Sequence, residues 1–317
     1  MAKSLIKKST IKISKNESAK DSTVNRLEVL KTYKIYIGGQ FPRTESGRYY
    51  VATNSKNEKL ANICLCSRKD FRDAVVSARS AFGGWSGRAA FNRGQILYRI
   101  AEMLEGRKAQ FIEELVKQDS TKLQAEMELN LAIDRLVYYS GWCDKFQQVF
   151  SAVNPVASSH FNFSVPEPMG VVAAIAPQNN SLAGLVSVIA PIIAGGNTCI
   201  VLASHSKPPC AVTFAEAPNS SDLPGGVVNI LTGKVAELAP FFADHMDVNA
   251  TVLSESDKEL LAMAKEKAAN NVKRVYSYDK TDWLSAEAQS PYFITDLQEI
   301  KTTWHPVENI GGAKAGY

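Results

Sequence analysis

The residues of this sequence most able to do covalent or acid–base chemistry are five cysteines, four histidines and one asparagine-rich turn. A cysteine attacks a carbonyl only as a thiolate, which needs a neighbouring base or positive charge. Cys199 sits at the start of the apolar strand Thr198 to Leu202, and Cys143 lies among Tyr138, Tyr139, Trp142 and Phe146, so both read as core. Cys210 follows Pro208 and Pro209 in an early helical turn, where a thiolate would be favoured. No histidine or carboxylate can be placed beside it from sequence, however. Cys64 and Cys66 stand one residue short of the redox CxxC spacing, and His160, His205, His245 and His305 are dispersed. No metal site is expected from such a pattern. The odd cysteine count, with no signal-like apolar stretch, predicts reduced thiols and a cytoplasmic protein.

The turn Ala176-Pro177-Gln178-Asn179-Asn180 is more informative. It follows the apolar run Gly170 to Ala176 and precedes a small-residue helix, and open α/β sheets bind ligands at that edge. The Asn179 amide has the chemistry to donate to a developing oxyanion, although turns also favour Asn for local reasons. No GxGxxG fingerprint occurs, and Gly195-Gly196-Asn197 and Gly225-Gly226 read as turns.

The elements that would position these residues change character along the chain. Tyr33 to Ile37 reads as a short strand turning at Gly38-Gly39. Helices are predicted over Lys69 to Phe82, with Trp85-Ser86-Gly87 interrupting, then over Ala90 to Gly106, Lys108 to Gln118, and Thr121 to Phe150. Leu129, Ile133, Leu136 and Val137 make the stripe of the last of these. His160, Asn162 and Ser164 alternate with Phe161, Phe163 and Val165, which predicts a half-buried strand. From Gly170 to Ala269 apolar strands alternate with helices, the pattern of a parallel sheet covered on both faces. Glu299 to Val307 reads as a strand outside that rhythm, with the 161–165 strand as an economical partner.

Composition sets the class. The 317 residues are 45% hydrophobic and 21% charged, as in a globular chain with a large core. A net charge of +4 is too small for this length to imply nucleic acid, and no membrane span is read. Six lysines face only Glu17 in the first twenty residues, so 1–30 is expected to be a basic, disordered tail, with 311–317 a flexible one.

Taken in order, these segments resemble the aldehyde dehydrogenase superfamily over roughly 31–275 and again at 297–307. Ile35-Tyr36-Ile37-Gly38-Gly39 resembles its opening strand and turn. Pro168-Met169-Gly170-Val171-Val172, with Pro177-Gln178-Asn179, resembles its "EPxGVV…PWN" segment, and Gly195-Gly196-Asn197-Thr198 the end of "PALAAGNT". Leu223 to Gly233 is nearly the whole "LPxGVVNxxTG" stretch. His245 to Val248 and Asn271 to Val275 resemble later phrases, and Glu299 to Thr303 resembles the "EVKTV" strand of the family's oligomerisation element.

The resemblance implies a Rossmann-like parallel α/β domain of the aldehyde dehydrogenase type, built from 31–150 and 167–280. It also implies a small protruding β oligomerisation element from 151–166 and 290–310. Asn179 matches the oxyanion-binding asparagine, here vestigial. Ser256, Gly233 and Pro177 match cofactor-binding positions. The ribose-contacting lysine falls at Ala203, and Glu255 replaces the glycine before Ser256, placing a carboxylate beside phosphates. Tyr276-Ser277-Tyr278-Asp279 stands where the general-base glutamate should follow, and no cysteine occurs after Cys210.

A short link therefore stands where the family's catalytic domain would lie, as in non-catalytic halves of the branch with paired or duplicated modules. The expectation is a pseudoenzyme with an assembly or regulatory role, with no cofactor or weak NAD or NADP binding. It would assemble with itself or with a complete aldehyde dehydrogenase. The alternatives are an NAD(P)-dependent aldehyde oxidoreductase active only with a complete partner, and a nucleotide-binding scaffold.

Overall fold

The structure, a computed structural model, describes residues 29–255 and 257–307. The tail at 1–28, Ser256 and the 311–317 tail lie outside the described residues. In chain order the first elements are β1 (Thr32–Tyr33), β2 (Tyr49–Thr53), β3 (Lys59–Cys64), α1 (Arg68–Ser86), α2 (Ala90–Glu105), α3 (Lys108–Lys117), α4 (Lys122–Trp142) and α5 (Phe146–Phe150). Then come β4 (Ala152–Asn154), β5 (His160–Pro168), β6 (Val171–Ile175), α6 (Ala183–Ala194), β7 (Thr198–Leu202), α7 (Pro209–Phe214), α8 (Glu216–Asn219) and β8 (Val228–Leu231). The last are α9 (Val235–Asp244), β9 (Ala250–Leu253), α10 (Lys258–Ala268), β10 (Arg274–Ser277), α11 (Tyr292–Thr295) and β11 (Gln298–Pro306).

Apolar side chains on both faces commit the central strands to a covered sheet. Every residue of β6, β7, β8 and β9 is buried, and these strands with β10 form a five-stranded parallel sheet in the order β10-β9-β6-β7-β8. Alternation divides the core in two. Val172, Ala174, Cys199, Val201 and Val252 face the layer of α2, α4 and α6. Val171, Ala173, Ile200, Leu202 and Leu253 face that of α1, α9 and α10. Strand order reverses between β6 and β9, the switch point at whose carboxyl ends such sheets take ligands.

Two smaller sheets flank the main one. β1, β3 and β2 form the first; the reading from sequence did not include β2 and β3, whose polar residues mask the alternation. In the second, β11 runs antiparallel to β5 from Gln298–Pro168 to Pro306–His160, and β4 pairs on the other side of β5.

Several local expectations are corrected. The helix end expected near Phe82 comes later: α1 runs through Gly83-Gly84 to Ser86, with Trp85 fully buried and its indole donating to Ile193 O at 3.0 Å, and the break before α2 falls at Gly87–Ala89. The 121–150 helix breaks at Cys143–Lys145. Its buried stripe is Ala125, Leu129, Ala132, Leu136 and Tyr139, while Val137 is 42% exposed. Only Thr32–Tyr33 of the first strand pairs as a strand, Tyr36 making an isolated bridge to Ile230. On β5 a polar residue is buried: Asn162 accepts from Asn154 at 2.6 Å, while Phe161 is 48% exposed.

Gly170 shows why backbone approach matters here. Its φ is +135°, and a Cβ would sit 2.2 Å from Asn249 Oδ1. That oxygen accepts from Val171 N at 3.0 Å and from Arg79 at 2.6 Å, so a side chain at 170 would break the entry to β6.

Candidate functional site

The turn carrying Asn179 hangs between β6 and α6 and is held by its neighbours. Gln178 donates from Nε2 to Ala176 O at 2.8 Å, and its Oε1 accepts from His205 N at 2.9 Å. Its carbonyl accepts from Ser204 and Ser206 hydroxyls at 2.9 and 2.7 Å. Asn180 donates to Asn179 Oδ1 at 2.9 Å and accepts from Gly184 N at 2.8 Å. With its oxygen engaged, Asn179 is exposed and lines a cavity, and its amide hydrogens are the donors it has left.

That cavity encloses about 520 Å³. Asp119, Glu128 and Asp134 give it three carboxylates against the single ammonium of Lys207, and Leu284 forms an apolar wall. Neither a thiol nor an imidazole is among its lining residues. Glu128, buried on α4, was absent from the candidates read in sequence. Its Oε1 accepts from Ser181 N at 3.1 Å, Leu182 N at 2.7 Å and Ala183 N at 3.2 Å, the donors opening α6. A second buried group, Arg135, donates to the Ser187 hydroxyl, to Ala183 O at 3.4 Å and to Ser285 O at 2.9 Å. Neither could be found from sequence, because a carboxylate and a guanidinium on a helix ordinarily face water.

All five thiols are free and buried. Burial pushes Cys143 up to about 12 and Cys66, Cys199 and Cys210 higher still. For Cys210 this corrects the expectation of a favoured thiolate: desolvation and then the Glu114 carboxylate outweigh the helical turn. Its Sγ instead accepts from Gln118 Nε2 at 3.2 Å.

The other candidates lie beyond the same sheet edge. Pro177 and Gly233 are buried, and a Cβ on Gly233 would meet Leu238 at 3.0 Å. Ala203 has no exposed surface. Glu255, half-buried after β9, carries a buried Oε1 with no hydrogen-bond partner among the described residues. His205 packs over this edge, its ring 4.4 Å from that of Tyr50. Burial and then Lys234 push its imidazole below the ordinary histidine value, against a hydrogen bond to the Gly233 backbone. The structure thus brings Asn179 to a cavity and buries Pro177, Gly233 and Ala203. Among the described residues no group of three or more His, Cys, Asp or Glu side chains is placed to hold a metal ion, and no helix is long and apolar enough to cross a membrane.

A parallel sheet with this strand order, the Asn179 turn at its switch point and a separate antiparallel sheet beside it define a Rossmann-like fold of the aldehyde dehydrogenase type. A sequence profile of the aldehyde dehydrogenase family matches residues 41–278, and the chain belongs to that family. It is 30% identical over 261 residues to cytosolic 10-formyltetrahydrofolate dehydrogenase of Mus musculus, covering 80% of this chain and 29% of that protein. It is 31% identical to cytosolic aldehyde dehydrogenase 1 of Elephantulus edwardii, covering 76% of this chain and 49% of that one. The NAD+ complex of an aldehyde dehydrogenase from Bacillus cereus has the same fold, with a TM-score of 0.73 at 22% identity over 78% of this chain and 50% of that structure. The chain therefore spans about half the length of the aldehyde dehydrogenases it matches, and less of the formyltetrahydrofolate dehydrogenases.

Proposed function

We propose that this chain is a non-catalytic member of the aldehyde dehydrogenase family that serves in assembly, with Asn179 a vestige of an oxyanion site. The observation that carries this reading is the Asn179 cavity, whose lining holds amides and carboxylates but no thiol, while every thiol of the chain is free and buried away from it. Acyl-transfer chemistry on an aldehyde needs an activated thiol at the carbonyl and a base to admit water. Steady-state assays of the full chain with NAD or NADP and a panel of short and aromatic aldehydes are expected to give background rates. Turnover approaching about 1 per second, within the ordinary enzyme range, and lost on substituting one of the cysteines, would overturn the reading.

Cofactor affinity is expected to be weak. At the position that would contact ribose, the Ala203 methyl has no reach, and the Glu255 carboxylate, its Oε1 buried without a hydrogen-bond partner among the described residues, would repel a pyrophosphate placed near Ser256. A lost charge-assisted hydrogen bond costs about 1.5–3 kcal/mol, tenfold or more in affinity. Glu255→Gly is expected to tighten NAD binding by about tenfold in calorimetry. An unchanged dissociation constant would mean that the pyrophosphate, if bound at all, lies elsewhere.

The assembly role rests on the β11-β5-β4 sheet. β11 pairs only with β5, so its outer backbone edge is open among the described residues, and Ile300 and Trp304 are 60% and 57% exposed on it. Such an edge invites pairing with another chain, and a second copy or a complete aldehyde dehydrogenase would cover it by symmetry. Replacing Ile300 and Trp304 together by lysine is expected to weaken self-association at least about thirtyfold in light scattering, the effect of losing a contact worth about 2 kcal/mol. An unchanged native mass at every concentration would remove this sheet from the interface.

A further inference from the structure

The segment between β10 and β11 is folded but not laddered. Among the described residues, the backbone bonds within 279–297 are local turns, such as Ser285 N to Asp282 O and Ile294 N to Pro291 O. Tyr278 N still bonds Leu253 O at its start, and Gln298 opens β11 at its end. Between those anchors the segment is fastened only by side chains. Arg135 donates to Ser285 O at 2.9 Å, and Asn197 to Leu297 O at 2.8 Å. The Tyr139 hydroxyl donates to Ser290 O at 3.1 Å and accepts from Ser290 N at 3.2 Å. The Trp283 indole donates to Ser254 O at 3.4 Å, the long end of the range.

What the segment covers is the switch-point end of the sheet. Trp283, 3% exposed, sits against the carbonyl that follows β9, with Phe293 stacked at 6.1 Å and Tyr278 edge-on at 6.3 Å. These rings lie on Val188, Pro191 and Ile192 of α6 and on Val252 of β9. One residue further on, Leu284 is a wall of the Asn179 cavity. A stretch tied at both ends to strands, and held between them by side chains without ladder bonds, is the kind of unit that opens below the global unfolding free energy.

We propose that residues 279–297 form a strap that opens as a unit while the sheet stays folded, and that the slot vacated by Trp283 at the switch point takes a planar aromatic ring. Opening uncovers the apolar face of α6 and joins the slot to the Asn179 cavity through the position of Leu284. The proposal is independent of whether the chain assembles or lacks activity. It turns on one juxtaposition, the buried indole against Ser254 at the end of β9.

Peptide-resolved hydrogen–deuterium exchange of the full chain tests it. Amides of 281–297 are expected to exchange at least about tenfold faster than those of β6 and β7 under native conditions, as a sub-global opening requires. Tyr139→Phe, which removes the Ser290 fastening and keeps the ring, is expected to raise the strap rate severalfold and leave β6 and β7 unchanged. Trp283→Ala is expected to raise it further, and added indole to slow it again by refilling the slot. Strap and β7 amides exchanging at one rate in both the parent and Tyr139→Phe would show that the segment opens only by global unfolding and overturn the strap. Protection in Trp283→Ala that stays unaltered up to the solubility of indole would overturn the slot.

Discussion

Stability is expected to fall steeply once the pH passes about 9. Cys66, Cys143, Cys199 and Cys210 are buried, and desolvation raises each above the ordinary thiol value of 9.0. The folded state therefore keeps protons that the unfolded chain gives up. Groups with a raised folded pKa contribute stability that is whole below the unfolded value and lost as pH rises above it. One pH unit above 9 costs about 1.4 kcal/mol per thiol, so the four together lose about 5–6 kcal/mol by pH 10, comparable to the whole stability of many domains.

Lys273 acts in the opposite sense. Burial lowers its ammonium from 10.5 to about 8, while it donates to His245 O at 2.8 Å. Stability is withheld below about 8 and regained toward 10.5, but one lysine is outnumbered by four thiols. Urea unfolding at pH 8, 9 and 10 measures the balance. Cys199→Ala, in the strand core, is expected to flatten the decline by about a quarter, whatever it costs at pH 8. A stability that is level or rising from pH 9 to 10 would show that these thiols ionise in place.

The second large effect belongs to Glu128. α6 begins at Ala183 with no side-chain cap of its own, and the N–H groups that open a helix need acceptors. Glu128, 53 residues before Ser181 in sequence, supplies one carboxylate oxygen to three of them and adds charge complementary to the helix dipole. Glu128→Ala leaves those donors buried without partners at about 1 kcal/mol or more each, so a loss of about 3–4 kcal/mol is expected in urea unfolding. Glu128→Gln keeps an acceptor oxygen and is expected to lose roughly half as much. A loss below about 1 kcal/mol for the alanine variant, within the range of a surface change, would mean that water reaches these N–H groups from the cavity.

What could be read from the sequence alone was whatever depends on periodicity and on local turn chemistry. Runs such as Val171 to Ile175 and Cys199 to Leu202 are apolar at every position, which only a sheet covered on both faces accommodates. Their alternation with helices therefore implied the parallel α/β fold. The partner of β11 was legible by elimination, since 161–165 and 299–307 both stood outside that rhythm. The place of the Asn179 turn was legible because a strand followed by a turn and a small-residue helix puts that turn at the carboxyl edge of an open α/β sheet.

Tertiary structure decided what depends on which side chains meet across the chain. Trp85 carries α1 past two glycines because Ile193 O waits for its indole 108 residues away. Asn162 is buried and Phe161 exposed because Asn154 offers β5 a polar partner on the inner side. Glu128 and Arg135 look like solvent-facing charges on a helix until α6 and Ser285 arrive beside them. The strap at 279–297 has no strand period and no helical one beyond the single turn of α11, because side-chain contacts with α4, α6 and the residue after β9 shape it rather than a backbone ladder. Periodicity records burial along one element; the identity of a long-range partner leaves no trace in spacing, and so only the folded chain reveals it.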